Sequence, residues 1–321
     1  MILWLTLLII GLILLVKGAD IFVDGISSIA RHLKMSTFVI ALTIVAFGTS
    51  APEFAISVNG ILNGNDELVL ANVVGSSIVN TLLVLGAASI VHPIKVKSNT
   101  IKKELPIVLL ISTLLVVLFK DNLFERNIPN VLSRTDGIVL VLFFLVFLHY
   151  LVSIIRNRTV EEPLKEDEIP KYGIAKSIFN SIFGLILIIV GSEFTVDNAV
   201  FIAEQLRISE KIISMTIITI GTSLPELVMS VIAAKKQEFD FTLGNIVGTN
   251  IFNIGVVLGV PLIFCGSISP QTFSNIDMIM VLVSSLLLFF FAGSEREISK
   301  KEGGIMLLVF FVYYTYLFIA L

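Results

Sequence analysis

The sequence is poor in the residues that most soluble activities depend on. It has a single cysteine, Cys265, which excludes an intramolecular disulfide and a thiolate cluster for a metal. Its three histidines, His32, His92 and His149, lie too far apart for any ligand spacing and read as packing or interface residues. Only 15% of the 321 residues are charged, and the net charge of -3 suits neither a nucleic-acid partner nor a strongly acidic substrate. There is no nucleophile–base pair and no phosphate-binding loop, so an enzyme is not expected, nor is a prosthetic group. The N-terminus lacks the basic start of a secretory leader. Its first lysine is Lys17, so the opening apolar segment is expected to be a retained span.

What is abundant is apolar surface. Hydrophobic residues make up 56% of the chain, which suits a protein whose exterior faces lipid. A spanning helix needs roughly 20 apolar residues, and apolar runs mark ten candidates. They lie near 2–24, 36–62, 68–92, 101–120, 135–155, 177–200, 210–235, 241–265, 274–293 and 303–321. With basic residues at the span ends counted with the adjoining loops, the loops after odd-numbered spans hold 16 Lys and Arg residues, and those after even-numbered spans hold 5. By the positive-inside bias, both termini are expected outside the cytoplasm of a multi-pass plasma-membrane protein. The longest polar stretch, Arg156–Lys176, mixes Glu161, Glu162, Glu166, Asp167 and Glu168 with basic residues and two prolines, and reads as a cytoplasmic linker.

The chain also repeats itself. A shift of 173 residues aligns 11–86 with 184–259 without a gap, and 30 of those 76 positions are identical. Gly48-Thr49-Ser50-Ala51-Pro52-Glu53 recurs as Gly221-Thr222-Ser223-Leu224-Pro225-Glu226, and Asn72, Gly75 and Asn80 recur as Asn245, Gly248 and Asn253. The identities fall on helix breakers and polar residues, which chance similarity of apolar helices does not select. Each half holds five predicted spans, an odd number, so the second half enters the membrane from the opposite face. The expected fold is all-α and integral to the membrane, with ten transmembrane helices in two inverted five-helix repeats. Its units would be 1–155, the linker 156–176, and 177–321. Such repeats, with interrupted helices at matching positions, are a recurring plan of secondary transporters.

The motif has a chemical reading. Glu53 and Glu226 fall deep in apolar spans, with no lysine or arginine within reach in the same spans. A carboxylate there costs at least ~2.5–3.5 kcal/mol unless paired or solvated, so it marks an ion pathway. Pro52 and Pro225 lack an N–H and release carbonyls around Gly48–Thr49 and Gly221–Thr222. Helical spacing sets Thr49 and Ser50 beside Glu53, and Thr222 and Ser223 beside Glu226. In the companion helices Ser76 and Asn80 are four apart, as are Thr249 and Asn253. The shell is all oxygen, which favours a hard cation such as calcium over zinc, copper or iron. Asn72 and Asn245 read as supporting residues, and Asp24 and Asp197 as structural or entrance residues.

Both halves resemble the alpha-repeats of the sodium/calcium exchanger family, and the resemblance covers nearly the whole chain. It implies a monomeric, lipid-embedded antiporter that works by alternating access and exchanges three sodium ions for one calcium. By that resemblance, Glu53, Glu226 and the carbonyls of Thr49 and Thr222 form the calcium site. Sodium uses the same glutamates with Ser50, Ser223, Ser76, Thr249 and the carbonyls of Ala46 and Thr219, and Asn80 and Asn253 complete the centre. Three positions depart from the archaeal-type pattern: Thr219 stands for Ala, Thr249 for Ser and Asn253 for Asp. The last removes a titratable group and argues against potassium dependence. The alternative is a calcium antiporter coupled to protons or to potassium.

Overall fold

In lipid, backbone N–H and C=O groups must pair within the protein, which favours helices. The computed structural model describes residues 2–33, 35–120, 130–156, 170–206, 219–270 and 274–320, and nearly all of these are helical. Helix α1 covers Ile2–His32. Thr37–Thr49 (α2) and Ala51–Leu62 (α3) form a pair bent by 45°. Next come α4 (Asp66–Val91), a π-helical turn Thr100–Glu104 leading into α5 (Leu105–Phe119), and α6 (Arg134–Arg156). The second half holds α7 (Ile174–Gln205), the short α8 (Thr219–Thr222), α9 (Leu224–Lys235), α10 (Phe239–Cys265), α11 (Asn275–Ser294) and α12 (Lys300–Ala320).

Among the described residues, seven helices are long and apolar enough to cross a membrane, and the bent α2–α3 pair makes an eighth. Of the ten expected spans, 101–120 falls short of that measure because its α-helical part is 15 residues long. The start of the span expected at 210–235 lies outside the described residues, as does most of the linker. Two expected spans are corrected in length. α1 runs on to His32 rather than stopping at 24, and α7 covers Ile174–Gln205 rather than 177–200. Both continue because their polar ends still have neighbours: Ser27, Ser28, Ser177 and Asn198 are all buried. Capping boxes set three other starts, Ser133 with Asp136 before α6, Ser274 with Asp277 before α11 and Ser299 with Glu302 before α12.

α4 and α10, which lack charged residues beyond their first turn, are mostly buried along their apolar stretches and form the centre of the bundle; the outer helices turn Leu, Ile and Phe side chains outward. α1 and α7 pack antiparallel along a seam of small residues seven apart. A Cβ on Gly11 would stand 2.9 Å from the Gly191 carbonyl, one on Gly18 2.9 Å from the Gly184 carbonyl, and one on Gly25 2.9 Å from the Ser177 carbonyl. Backbones this close leave no room for a side chain.

Contacts between loops sort by parity. At one end of the bundle, Arg31 bonds Glu238, Lys97 bonds Asp240, Lys171 bonds Asp24, and strand β1 (Ile94–Lys95) pairs antiparallel with β2 (Glu297–Ile298). At the other end, Leu132 bridges Ile268, Asp66 accepts from the Ser269 N–H, and Lys120 donates to Asn275. The first set joins loops after odd-numbered predicted spans or the span ends beside them, and the second does the same for even-numbered ones. Residues 173 apart also occupy matching places. Ser112 and Ser285, separated by that distance, meet at 2.9 Å where the two halves touch.

Candidate functional site

Both copies of the motif break their helix at the serine. Ser50 has φ -85°, ψ 7° and Ser223 has φ -92°, ψ 5°, with the following proline at the start of the next helix. Hydrogen bonding resumes one turn on, from the Phe54 N–H to the Ser50 carbonyl and from the Leu227 N–H to the Ser223 carbonyl, both 3.0 Å. Pro52 and Pro225 cannot donate to the carbonyls of Gly48 and Gly221. The Gly221 carbonyl instead accepts from the Ser192 hydroxyl at 3.3 Å. The Ala46 carbonyl is not released: it accepts the Ser50 N–H at 3.1 Å and, more weakly, the Thr49 hydroxyl at 3.5 Å. The break lies inside the expected single face of Thr49, Ser50 and Glu53, yet all three remain buried.

Each broken helix packs against the other half. α3 lies on a π-helical turn in α10 (Asn253–Leu258), and α9 on the corresponding turn in α4 (Val79–Val84). Turns of this kind recur at functional sites because they turn side chains out of helical register. Here they carry Asn253 and Asn80. The arrangement brings Glu53 and Glu226, 1% and 0% exposed, close enough for their carboxylates to repel one another. Thr49 lies beside Glu226 while donating to the Val45 carbonyl at 3.2 Å. Asn253 crosses between halves and donates to the Ser76 hydroxyl at 2.9 Å. Thr249 is fully buried, Thr222 lines a neighbouring cavity, and Thr219 begins α8 with its side chain outside the described residues.

The centre is rich in oxygen atoms without a protein partner. Ser50 Oγ, Ser223 Oγ, Glu53 Oε2, both Glu226 oxygens, Thr249 Oγ1, Asn253 Oδ1 and the whole Asn80 amide are buried and unpaired. Buried polar groups are nearly always satisfied, so such a concentration needs an explanation. Among the described residues no three His, Cys, Asp or Glu side chains converge. The donor set is therefore two carboxylates with neutral hydroxyl, amide and carbonyl oxygens, which suits a hard cation of low or modest charge.

Some supporting residues were legible and others were not. Asn72 holds the Glu53 backbone by donating to its carbonyl at 3.0 Å and reaches Ser57 at 3.4 Å; Asn245 donates to Ser230, 173 residues after Ser57, at 3.2 Å. These serines escaped notice because a lone serine in an apolar helix carries no signal. Asn250, which donates to Thr81 at 2.8 Å, was also missed, although an asparagine amid Ile and Phe was a clue.

A cavity of about 150 Å³ lies between α7 and the two breaks, lined by Thr49 and Pro52 from one copy and Thr222 and Pro225 from the other. α7 contributes Ser192, Glu193 and Asp197 to its wall. Asp24, the counterpart of Asp197, is ion-paired instead, with Lys171 at 2.6 Å and Lys236 at 2.7 Å. The Asp24 carboxylate raises the Lys171 ammonium above its ordinary range. Nearby, burial pushes the Glu238 carboxyl up while the Arg31 guanidinium opposes the shift.

Comparison with known proteins agrees with this geometry. The family described as "Sodium/calcium exchanger protein" matches residues 3–153 and 176–319, one segment in each half. The chain is 39% identical over 281 residues to a putative antiporter, CaxA, of Alkalimonas amylolytica, covering 86% of each. It is 32% identical to the sodium/calcium exchanger MaX1 of Methanosarcina acetivorans, covering 80% of this chain and 82% of the relative. A solved structure of the sodium-calcium exchanger NCX_Mj superimposes with a TM-score of 0.83 at 35% identity over 98% of both chains.

Proposed function

The chain belongs to the sodium/calcium exchanger family, and from that premise we propose that it is an antiporter exchanging sodium for calcium by alternating access. The observation that carries the reading is the cluster of unpaired, buried oxygens around Glu53 and Glu226. A cation supplies the missing partner for each of them, and two carboxylates balance one calcium ion. In this reading Glu53, Glu226 and the carbonyls of Thr49 and Thr222 hold calcium. Sodium is shared among the same glutamates, Ser50, Ser223, Ser76, Thr249, Asn80, Asn253 and the carbonyls of Ala46 and Thr219.

The same reading takes the protein as a monomer in the plasma membrane with ten spans, its five-helix repeats at 1–155 and 177–321 inverted about the linker 156–176. Three observations support it: the sorting of loop contacts by parity, the Ser112–Ser285 contact, and the exchange of partners between broken helices and π-helical turns. The excess of basic residues in the odd-numbered loops supports both termini outside. With three sodium ions per calcium, the sodium-loaded centre carries about one more positive charge than the calcium-loaded one. The amide at Asn253 supports coupling without potassium.

The test is calcium-45 uptake into proteoliposomes driven by an outward sodium gradient. Wild type is expected to accumulate calcium, and Glu53→Gln and Glu226→Gln to stay at background, because each removes half of the compensating charge. Full uptake in both variants would falsify the assignment. Uptake driven by a proton gradient and indifferent to sodium would establish the proton-coupled alternative.

A further inference from the structure

The two acid pairs on the outer helices are equivalent by the 173-residue repeat but sit in different surroundings. Glu193 and Asp197 on α7 line the cavity, and among the described residues neither is paired with a lysine or arginine. Their counterparts on α1 are Asp20 and Asp24. Lys236, just past the end of α9, places its ammonium 2.7 Å from Asp20 Oδ1, 2.7 Å from Asp24 Oδ1 and 2.8 Å from the Asp20 carbonyl. Two of these contacts are hydrogen bonds, to the Asp24 carboxylate and the Asp20 carbonyl, and the third is an ion pair with the Asp20 carboxylate. The residue 173 positions before Lys236 is Asn63, whose amide turns back onto the Asn59 carbonyl at 2.9 Å.

The packing beneath follows the same asymmetry. Ile188, Ser192 and Val196 line the cavity on α7. Their equivalents on α1, Leu15, Ala19 and Val23, are completely buried; Ile188 is too, so the two sides differ at Ser192, 8% exposed, and at the half-buried Val196. The α1 side thus has the same architecture as the α7 side, pressed shut, with a lysine where an approaching cation would meet the two acids.

We propose that Lys236 is a tethered cation that holds the α1 mouth closed by occupying Asp20 and Asp24, and that it must leave them before an ion can pass on that side. The inference rests on the antiport reading, because it gives the second mouth a purpose. Lys236 is a positioning residue: it touches neither Glu53 nor Glu226 but biases which side of them is accessible. The lock is firm enough to bias the resting state and weak enough to open, since each partly exposed pair contributes little.

Thiol labelling tests this in detergent-purified protein in which Cys265→Ala has removed the native thiol. Ala19→Cys reports the α1 side and Ser192→Cys the α7 side, each titrated with a water-soluble maleimide. Adding Lys236→Gln should raise the labelling rate at Ala19→Cys about five-fold and lower it at Ser192→Cys, a shift expected from losing a small network of pairs. Lys236→Arg should leave both rates near the parent's, and Asp20→Asn with Asp24→Asn should reproduce the Lys236→Gln pattern. Unchanged rates in Lys236→Gln, or rates rising together at both reporters as in general loosening, overturn the proposal. Labelling needs no transport, so absence of sodium-driven calcium uptake in wild type would sink the antiport reading without deciding the lock.

Discussion

At the scale of single residues, the centre is nearly but not fully symmetric, and Asn253 carries the main difference. Its amide donates to Ser76 at 2.9 Å, whereas the equivalent amide of Asn80 has no partner. Asn253→Asp replaces a donor with an acid. Ser76 must then give up its bond to the Val73 carbonyl in order to donate, and a third carboxylate joins the two glutamates. Cations compete with protons for such groups, so calcium uptake by this variant should fall more steeply than wild type's as the medium is acidified. A pH profile of uptake decides it, and superimposable curves would count against a place for Asn253 at the ions. The glutamates, hydroxyls and amides of the centre were all legible, because an acid or amide deep in an apolar run costs too much to be incidental. Ser57, Ser230 and Lys236 were not legible. The first two matter only through one long-range bond each, and Lys236 lies beside another basic residue at a loop where charge is expected.

At the scale of the element, proline announced that two helices would be interrupted but not where. The chain turns at Ser50 and Ser223, a residue or two earlier than the ring itself, because the proline sits comfortably in the first turn of the following helix. The π-helical turns at Asn80 and Asn253 left no mark in the sequence, since one extra residue in a helical turn alters no composition or period that can be read locally. The seam between α1 and α7 was visible only as scattered glycines. Gly18→Val would set new atoms where a Cβ already stands 2.9 Å from the Gly184 carbonyl. Overpacking of this kind costs about 1–3 kcal/mol, and a lower thermal unfolding midpoint in detergent is the expected result. Gly304, with open space around its Cβ position, serves as the control, and Gly304→Ala should leave the midpoint in place.

At the scale of the whole molecule, charge balance gives the most direct expectation. Three sodium ions leaving for each calcium entering moves one net positive charge outward, so a vesicle interior held positive should speed calcium uptake and one held negative should slow it. Potassium-diffusion potentials set with valinomycin check the sign, and uptake indifferent to them would exclude this stoichiometry. The positions of most crossings were readable because lipid imposes a length on each, and among the described residues seven helices, or eight with the bent pair, meet that length. Their true ends were not, because α1 and α7 run on past their apolar stretches to make contacts that depend on distant parts of the chain.

The contact between Ser112 and Ser285 has a consequence for ancestry. A residue that meets its own counterpart is the signature of an isologous interface, the kind that joins two identical subunits across a two-fold axis. Here the two subunits are consecutive stretches of one polypeptide. On the inverted-repeat reading proposed above, an ancestral half-length chain that inserted in both orientations would have paired with itself in this way, serine against serine. Fusion would release each copy from the need to match the other, and Lys236 opposite Asn63 is one place where the two halves differ.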